Sequence, residues 1–245
     1  MNMIRDRYKK FFLDIENIYF AEKIVKSNAD IVRYSQCKEV GPSNTKFTSP
    51  VIDLTEDIAE IDRNFRKSLR NEIKDAIKNY NIVTSFEQNV CENMMSDFKD
   101  FYTFFSTKKS IPNADFSKLK RLKENIIISH AKHEDRYIAF HLYLKNTKKL
   151  RLLYSASLLS EDKDDLKLIV RANKLLHFKD IVSAKEMDYL EYDLGGVDIF
   201  EKSLDGINKF KLGFTKNITT TNNFLISNSS LGKIFLLLNK ILGRI

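Results

Sequence analysis

Hydrophobic residues recur at steps of three and four residues in five stretches of the chain, a spacing typical of amphipathic helices. The clearest stretch begins at Thr55, which together with Asp57 forms a helix-start signature, and continues to about Asn79. The other four predicted helices cover residues 88–107, 115–123, 164–187 and 230–243.

Between these helices the pattern changes to short apolar runs separated by polar turns, which predicts strands. Three consecutive runs predict antiparallel strands over residues 125–132, 135–144 and 149–156. Further strands are predicted at 81–86, 189–194 and 222–228. Because a long helix separates the runs 149–156 and 189–194, we expect these two strands to be parallel neighbours with a cleft at their C-terminal ends. The order of elements predicts an α+β fold with a mixed, mostly antiparallel sheet flanked by helices.

The beginning of the chain lacks a long periodic stretch and predicts one short element followed by a loop. Residues 38–50 are the most loop-like segment, since they contain Gly41, Pro42 and Pro50. We therefore expect a lead-in over residues 1–50 and a single domain over residues 51–245, long enough to bury a core without disulfides.

Composition places the chain among soluble globular proteins, with 43% hydrophobic and 30% charged residues. The two cysteines, Cys37 and Cys91, lie in no metal-binding or redox motif, which favours reduced thiols in the cytoplasm. The first residues lack the apolar core of a signal peptide, and no apolar run approaches the roughly 18 residues that span a bilayer. We expect a cytoplasmic protein, either free or at the inner face of the membrane.

The net charge of +8 arises from 41 basic and 33 acidic side chains. Such an excess indicates either a biased composition or an anionic partner, for example a nucleotide, a phospholipid surface or tRNA. Charge alone therefore does not make this a nucleic-acid-binding protein.

Three of the seven glycines lie in two nearby segments, YDLGG at residues 192–196 and FKLGF at residues 210–214. The paired glycines 195 and 196 either end a strand in a positive-φ turn or bring backbone N–H groups close to a carbonyl or phosphate. Asp193 either caps this turn, or holds the attacking group or positions Lys211. These segments are our first candidates for a functional site.

Basic side chains supply the second group of candidates. Lys211 either extends to the surface or projects into the cleft, where it would be a fixed positive charge for a phosphate or a developing oxyanion. Arg66 and Arg70 are four residues apart on a predicted helix, so they share one face. That face is either simply solvated or able to clamp a diphosphate.

Several other site types find no support in the sequence. His130 and His133 are three residues apart with no third ligand in reach by sequence, which argues against zinc. The chain contains no GxSxG, Walker or GxGxxG motif, so hydrolase, NTPase and Rossmann functions are not indicated.

Four segments in chain order resemble the FemABX aminoacyltransferase family and its polysaccharide-associated relatives, which are built on the GNAT-type acyltransferase fold. They are FRKSLRNEIKDAIKN (65–79), LLYSAS (152–157), ANKLLHFKDIVSAKEMDYLEYDLGG (172–196) and GINKFKLGF (206–214). In the first segment Arg70, Ile73 and Ala76 fill the positions of the family's basic helix. The last segment contains a Phe–Lys pair at Phe210 and Lys211. The resemblance extends from about residue 50 to the C-terminus.

This resemblance implies a GNAT-like fold and an acyl- or aminoacyltransferase. The implied acceptor is an amine or hydroxyl of a nucleotide- or lipid-linked sugar precursor in surface polysaccharide or cell-wall biosynthesis. The implied donor is acyl-CoA or aminoacyl-tRNA, with no metal. Residues 160–173 contain no glycine where acetyl-CoA-dependent GNAT enzymes carry their pyrophosphate loop, so both donors stay open. Peripheral contact with the membrane stays open as well.

With the resemblance in place, we expect Lys211 and Asp193 to be catalytic. The expected substrate-binding residues are Arg66, Arg70, Tyr154, Ser155, Ser157, Tyr192, Gly195, Gly196 and Phe210. An alternative function is a nucleotide- or RNA-binding module that retains the fold without catalysis. Steep weakening of binding by salt would distinguish such a module from an enzyme.

Overall fold

The structure is a computed structural model that describes residues 3–198, 201 and 204–241. In these residues the chain forms ten strands and seven α-helices. The strands are β1 (Ile4–Lys10), β2 (Leu13–Tyr19), β3 (Ile31–Cys37), β4 (Thr45–Asp53), β5 (Ile82–Glu87), β6 (Ile126–His133), β7 (Arg136–Lys145), β8 (Lys149–Ser157), β9 (Glu191–Asp193) and β10 (Ile218–Ser227). The helices are α1 (Ile58–Asn64), α2 (Lys67–Asn79), α3 (Glu92–Lys109), α4 (Phe116–Arg121), α5 (Lys163–Glu186), α6 (Asp205–Lys211) and α7 (Ser230–Ile241).

Contacts divide the chain into two units, Met1–Thr48 with Thr219–Ile245, and Ser49–Ile218. In the first unit the strand order is β1-β2-β3-β10, and α7 places Phe235 and Leu236 against a cluster around Leu13. In the second unit the order is β4-β9-β8-β7-β6-β5. The predicted division at residue 50 into a lead-in and one domain stays a prediction.

The sheet of the second unit contains one parallel pair, β8 with β9, and its other neighbouring strands are antiparallel. The predicted α+β class, the antiparallel run β6-β7-β8 and the parallel neighbours β8 and β9 are therefore confirmed. The parallel pairing arises because α5 carries the chain back across the sheet before β9 begins.

The long helix α5 packs on β6, β7 and α2 and supplies much of the core. Leu175, Ile181 and Ala184 of this helix belong to one buried core cluster, together with Tyr192 of β9. The side chain of Asp162 caps its first turn by accepting hydrogen bonds from two backbone N–H groups. Polar side chains of α5 are buried as well, and they contribute to the site described below.

Two predictions about local structure are wrong. Before residue 50 we expected one short element followed by a loop, but strands β1 to β3 and the first part of β4 lie there. The expected helix from Thr55 to Asn79 is broken at Phe65 and Arg66, which adopt extended conformations. The break has a tertiary cause, because Phe65 is buried edge-on against Phe214 and the backbone N–H of Arg66 donates to the carbonyl of Gly213 at 2.8 Å.

In the stretches that the structure describes, no helix has both the length and the apolar character needed to cross a bilayer.

Candidate active site

A cavity of about 430 Å³ opens at the C-terminal ends of β8 and β9. The two strands pair over only three residues each, Lys149–Arg151 with Glu191–Asp193. The described residues that line the cavity are Phe105, Arg151, Leu152, Leu153, Ser155, Ser157, Asn173, His177, Leu194, Gly195, Gly196, Gly206, Ile207, Phe210 and Lys211. The structure thus has a cavity at the place where the sequence predicts a cleft.

The turn after β9 requires a glycine at position 195. Gly195 has a φ of 78°, in the left-handed region that side chains other than glycine rarely adopt. A Cβ atom there would also lie 3.0 Å from the carbonyl oxygen of Leu152. The backbone N–H of Gly195 donates to Oδ1 of Asp193 at 2.8 Å. The turn therefore serves both to end the strand and to expose the backbone of Gly196 at the cavity.

Asp193 is fully buried beneath this turn and does not line the cavity. Its Oδ2 atom lies 3.0 Å from Nζ of Lys149. The carboxylate therefore caps the turn and is held by a lysine of the neighbouring strand. Its catalytic role stays a prediction, and its negative charge raises the pKa of Lys211.

Lys211 is the last residue of α6 and lines the cavity. Its ammonium donates a hydrogen bond of 2.7 Å to the carbonyl oxygen of Gly196. Burial lowers the pKa of Lys211 from 10.5 to about 8, while the charge of Asp193 raises it and that of Arg151 lowers it further. At neutral pH the site therefore contains a positively charged, positioned ammonium group.

The two serines at the end of β8 and the tyrosine that precedes them face opposite sides of the sheet. Ser155 and Ser157 line the cavity. Tyr154 instead packs edge-on against Tyr102 of α3, and its hydroxyl accepts a hydrogen bond from the backbone of Asp115. Alternation along a strand explains the difference. Tyr154 does not line the cavity, so its substrate-binding role stays a prediction without a contact to support it.

The two predicted phosphate-binding arginines also lie outside the cavity lining. Arg66 is exposed at the N-terminus of α2, and Arg70 is half-buried one turn later. The backbone contact between Arg66 and Gly213 brings the start of α2 close to the segment that follows Lys211. Their role toward phosphate stays a prediction.

A buried polar network underlies the cavity, and the sequence did not reveal it. Oδ2 of Asp180 accepts hydrogen bonds from Ser129 at 2.8 Å and from the hydroxyl of Tyr143 at 2.5 Å, and Nδ1 of His141 lies 2.8 Å away. The hydroxyl of Tyr143 lies 2.7 Å from that of Tyr192. Tyr192, predicted to bind substrate, therefore belongs to this network and not to the cavity wall.

The network ends at His177, which does line the cavity. Nδ1 of His177 lies 2.8 Å from the hydroxyl of Tyr192, while Nε2 is buried without a hydrogen-bond partner among the described residues. Burial lowers the pKa of His177 well below its ordinary value, and the nearby charges of His141 and Lys211 act in the same direction. His177 is therefore a neutral imidazole at pH 7.

A signal for this network was present in the periodicity of α5. Asn173, His177 and Asp180 fall at steps of four and three residues on the apolar stripe that also contains Ile169 and Ala184. Polar residues on the buried stripe of a helix are unusual unless they are paired or functional. The spacing could have indicated these residues of α5, although not their partners on the strands of the sheet.

No protein-family model matches the sequence, and no curated protein matches it. Solved structures do match the fold. The crystal structure of FemX aligns with a TM-score of 0.62 and 11% identity, covering 95% of this chain and 85% of FemX. The C-terminal domain of a protein described as a lysylphosphatidylglycerol synthetase from Agrobacterium fabrum aligns with a TM-score of 0.62 and 10% identity, over 100% of this chain and 87% of that one.

A third match is L-PGS from Bacillus licheniformis, with a TM-score of 0.59, 14% identity and coverage of 100% of this chain and 87% of that chain. At these identities the likeness concerns the fold. The resemblance is therefore confirmed at the level of the fold, which this chain shares with FemX, and the alignments extend over residues that the resemblance did not include, since they cover nearly the whole chain.

Proposed function

We propose that this protein is an enzyme that transfers an acyl or aminoacyl group to an amine or a hydroxyl, and that the transfer takes place in the cavity at the ends of β8 and β9. The observation that carries this proposal is Lys211. Its ammonium is fixed at the cavity by the carbonyl of Gly196, in surroundings that lower its pKa to about 8. The fold shared with FemX and L-PGS supports the same class of reaction.

The chemistry of acyl transfer explains why such a lysine is useful. The acceptor attacks the carbonyl carbon of an ester or thioester donor, and negative charge develops on the carbonyl oxygen. A fixed positive charge beside this oxygen stabilises the transition state without having to reorganise. Arg151 adds a second basic group to the lining. Lys211 is accordingly the residue that we assign to oxyanion stabilisation.

The acceptor that we propose is a phosphate-bearing molecule with a free hydroxyl or amine, specifically a nucleotide- or lipid-linked sugar precursor of surface polysaccharide or cell wall. The net charge of +8 and the basic lining of the cavity suit such an anion. The name of one structural relative gives lysylphosphatidylglycerol as a product, which supports an acceptor carrying phosphate and lipid. The donor is acyl-CoA or aminoacyl-tRNA.

Peripheral contact with the membrane is part of the same proposal. Phe11 and Phe12 form the tip of the β1–β2 hairpin and are 84% and 93% exposed. Lys9 and Lys10 precede them directly, so the tip combines apolar rings with positive charge. Aromatic rings flanked by lysines suit the boundary of an anionic bilayer. Such contact would bring the protein to the surface that carries a lipid-linked acceptor.

Transfer assays with labelled donors test the proposal. Acetyl-CoA and a mixture of aminoacyl-tRNAs serve as donors, and UDP-N-acetylglucosamine and phosphatidylglycerol vesicles serve as acceptors, which gives four pairs. We expect transfer in at least one pair and a loss of about 100-fold or more in kcat for Lys211→Met. Lys209→Met is the matched control, because Lys209 is exposed on the same helix and does not line the cavity.

Two results would contradict this function. One is the absence of transfer in all four pairs. The other is a Lys211→Met protein as active as the Lys209→Met control. Binding of tRNA that weakens steeply with salt, without any transfer, would instead support the alternative of an RNA-binding module.

A further inference from the structure

The positions of the protons in the network between Asp180 and His177 follow from the chemistry of its members. A carboxylate oxygen only accepts, so the hydroxyl of Tyr143 donates its single proton to Asp180. The oxygen of Tyr143 then accepts from the hydroxyl of Tyr192, which lies 2.7 Å away. Since Tyr192 has used its own proton, its oxygen accepts from Nδ1–H of His177 at 2.8 Å.

This direction determines the tautomer of the imidazole. With its proton on Nδ1, a neutral His177 has its lone pair on Nε2. Nε2 is buried and has no hydrogen-bond partner in the described residues, and the residue lines the cavity. A buried acceptor without a partner is costly to keep, so an unpartnered Nε2 on a residue that lines the cavity indicates a ligand proton for it to accept.

We propose that His177 is the general base of the transfer reaction, and that Tyr192, Tyr143 and Asp180 are positioning residues that keep Nε2 unprotonated and oriented toward the acceptor. The inference rests on the proposed function, since it names the group that activates the acceptor in the same cavity. Lys211 and His177 then have separate roles, one toward the carbonyl oxygen and the other toward the attacking group.

The step balances without any further reactant. Nε2 of His177 takes the proton of the acceptor hydroxyl or amine as its oxygen or nitrogen forms a bond to the donor carbonyl carbon. Collapse of the tetrahedral intermediate breaks the carbon–oxygen bond of an ester or the carbon–sulfur bond of a thioester. The imidazolium returns the proton to the leaving oxygen or sulfur, so His177 ends the cycle neutral.

The groups around the ring favour this cycle. His141 on β7 stacks on His177 with ring centroids 4.0 Å apart, and Lys211 on α6 contributes positive charge. Both disfavour a permanent imidazolium, as burial does. On β9 the hydroxyl of Tyr192 accepts from Nδ1–H, and through Tyr143 the carboxylate of Asp180 supports the transient positive charge. The base is therefore neutral at rest and stabilised when protonated.

Nitrogen-15 NMR of histidine-labelled protein tests the tautomer without any substrate. We expect His177 to carry its proton on Nδ1 and to stay neutral from pH 8 down to pH 6. In Tyr192→Phe the acceptor for Nδ1–H is removed, so the two tautomers should become mixed. A proton on Nε2, or an imidazolium at pH 7, would overturn the inference.

Kinetics test the role in catalysis, using the donor and acceptor pair in which the wild-type protein is active. We expect His177→Ala to lower kcat by about 100-fold to 10,000-fold with little change in KM. Imidazole added to His177→Ala should restore part of the activity by entering the space left by the ring, which a purely structural role would not produce. Tyr192→Phe should show a smaller loss in kcat.

The matched control is His130→Ala, because His130 is also buried and has an unpartnered Nδ1 among the described residues, but it lies outside the cavity lining. We expect no loss of kcat and no response to imidazole in this control. An active wild type with an equally active His177→Ala would overturn the inference alone. A wild type that transfers nothing in all four pairs would overturn the proposed function and this inference with it.

Discussion

Replacing Lys211 with Met should stabilise the protein at neutral pH, although it removes the residue to which we assign oxyanion stabilisation. The ammonium is held in a half-buried position where the pKa falls from 10.5 to about 8. In the unfolded chain the group has its ordinary pKa. Folding at pH 7 therefore places a charged amine where its charge is disfavoured, and Met keeps the apolar stem without the charge.

The magnitude follows from the difference between the two pKa values. A depression from 10.5 to about 8 corresponds to about 3 kcal/mol at roughly 1.36 kcal/mol per unit. Loss of the hydrogen bond to Gly196 costs about 1 kcal/mol. We expect Lys211→Met to raise the free energy of unfolding by about 2 kcal/mol, which is about 4–8 °C in Tm for a chain of this size.

The two pKa values also determine the direction in which stability changes with pH. Between pH of about 8 and 10.5 the unfolded chain retains a proton that folded Lys211 has lost, so the stability of the wild type rises with pH over this window. The stability of Lys211→Met does not have this pH-dependent contribution, because Met does not ionise. The stability advantage of the variant is therefore full below pH 8 and decreases steadily as the pH rises toward 10.5.

Urea unfolding of the wild type, Lys211→Met and Lys209→Met at pH 7 and pH 10 measures both quantities. Lys209 is exposed on the same helix, so its replacement should change stability little at either pH. A Lys211→Met protein less stable than the wild type at pH 7, or a stability difference that is the same at both pH values, would refute the reasoning.

Three further outcomes are expected. Gly195→Ala should destabilise the protein by about 1–2 kcal/mol in thermal unfolding because of its positive φ, whereas Gly206→Ala, whose Cβ meets open space, should not; equal effects would refute the strain argument. Replacing Arg66 and Arg70 together with Gln should raise KM for a phosphorylated acceptor more than it lowers Tm, and an unchanged KM would mean that this helix face is only solvated. Phe12→Ser should weaken sedimentation with phosphatidylglycerol vesicles, and unchanged binding would exclude the hairpin tip as the contact.

The sequence predicted well those elements whose pattern is local and long. The three strands β6 to β8 and the helix α5 were found because their apolar residues repeat over many positions. The parallel pairing of β8 and β9 also followed, since a helix that crosses a sheet between two strands leaves few other arrangements.

Local pattern failed where contacts distant in sequence decide the structure. The helix break at Phe65 depends on packing against Phe214, and nothing in the local apolar spacing indicates it. Strand β3 pairs with residues near the other end of the chain, which its own sequence does not indicate, whereas β1 and β2 form a local hairpin that was simply not recognised. The strand propensity of a segment is read from its local sequence, so it contains no information about partners that are distant along the chain.

For the candidate site, glycine and lysine gave usable signals and the buried network did not. A paired glycine after an apolar run indicated a turn, and the structure places that turn and Lys211 at one cavity. His177 was not among the site residues predicted from the sequence. Its significance depends on the hydroxyl of Tyr192 and on the cavity, and both become visible only when the chain is folded.

The interleaved order of the two units has a consequence for how the chain folds. In the first unit the backbone N–H of Gln36 donates to the side chain of Asn223, 187 residues later, so its sheet must close a very long loop. In the second unit, Ser49–Ile218, the two ends of the chain segment are joined by a hydrogen bond. The backbone N–H of Val51 donates to the carbonyl of Asn217 at 2.9 Å. Once this unit has formed, the segments that precede and follow it emerge side by side, and the loop is effectively short. We expect the second unit to gain hydrogen-exchange protection first during refolding, with β3 and β10 following; simultaneous protection of both would show that the chain folds in one step.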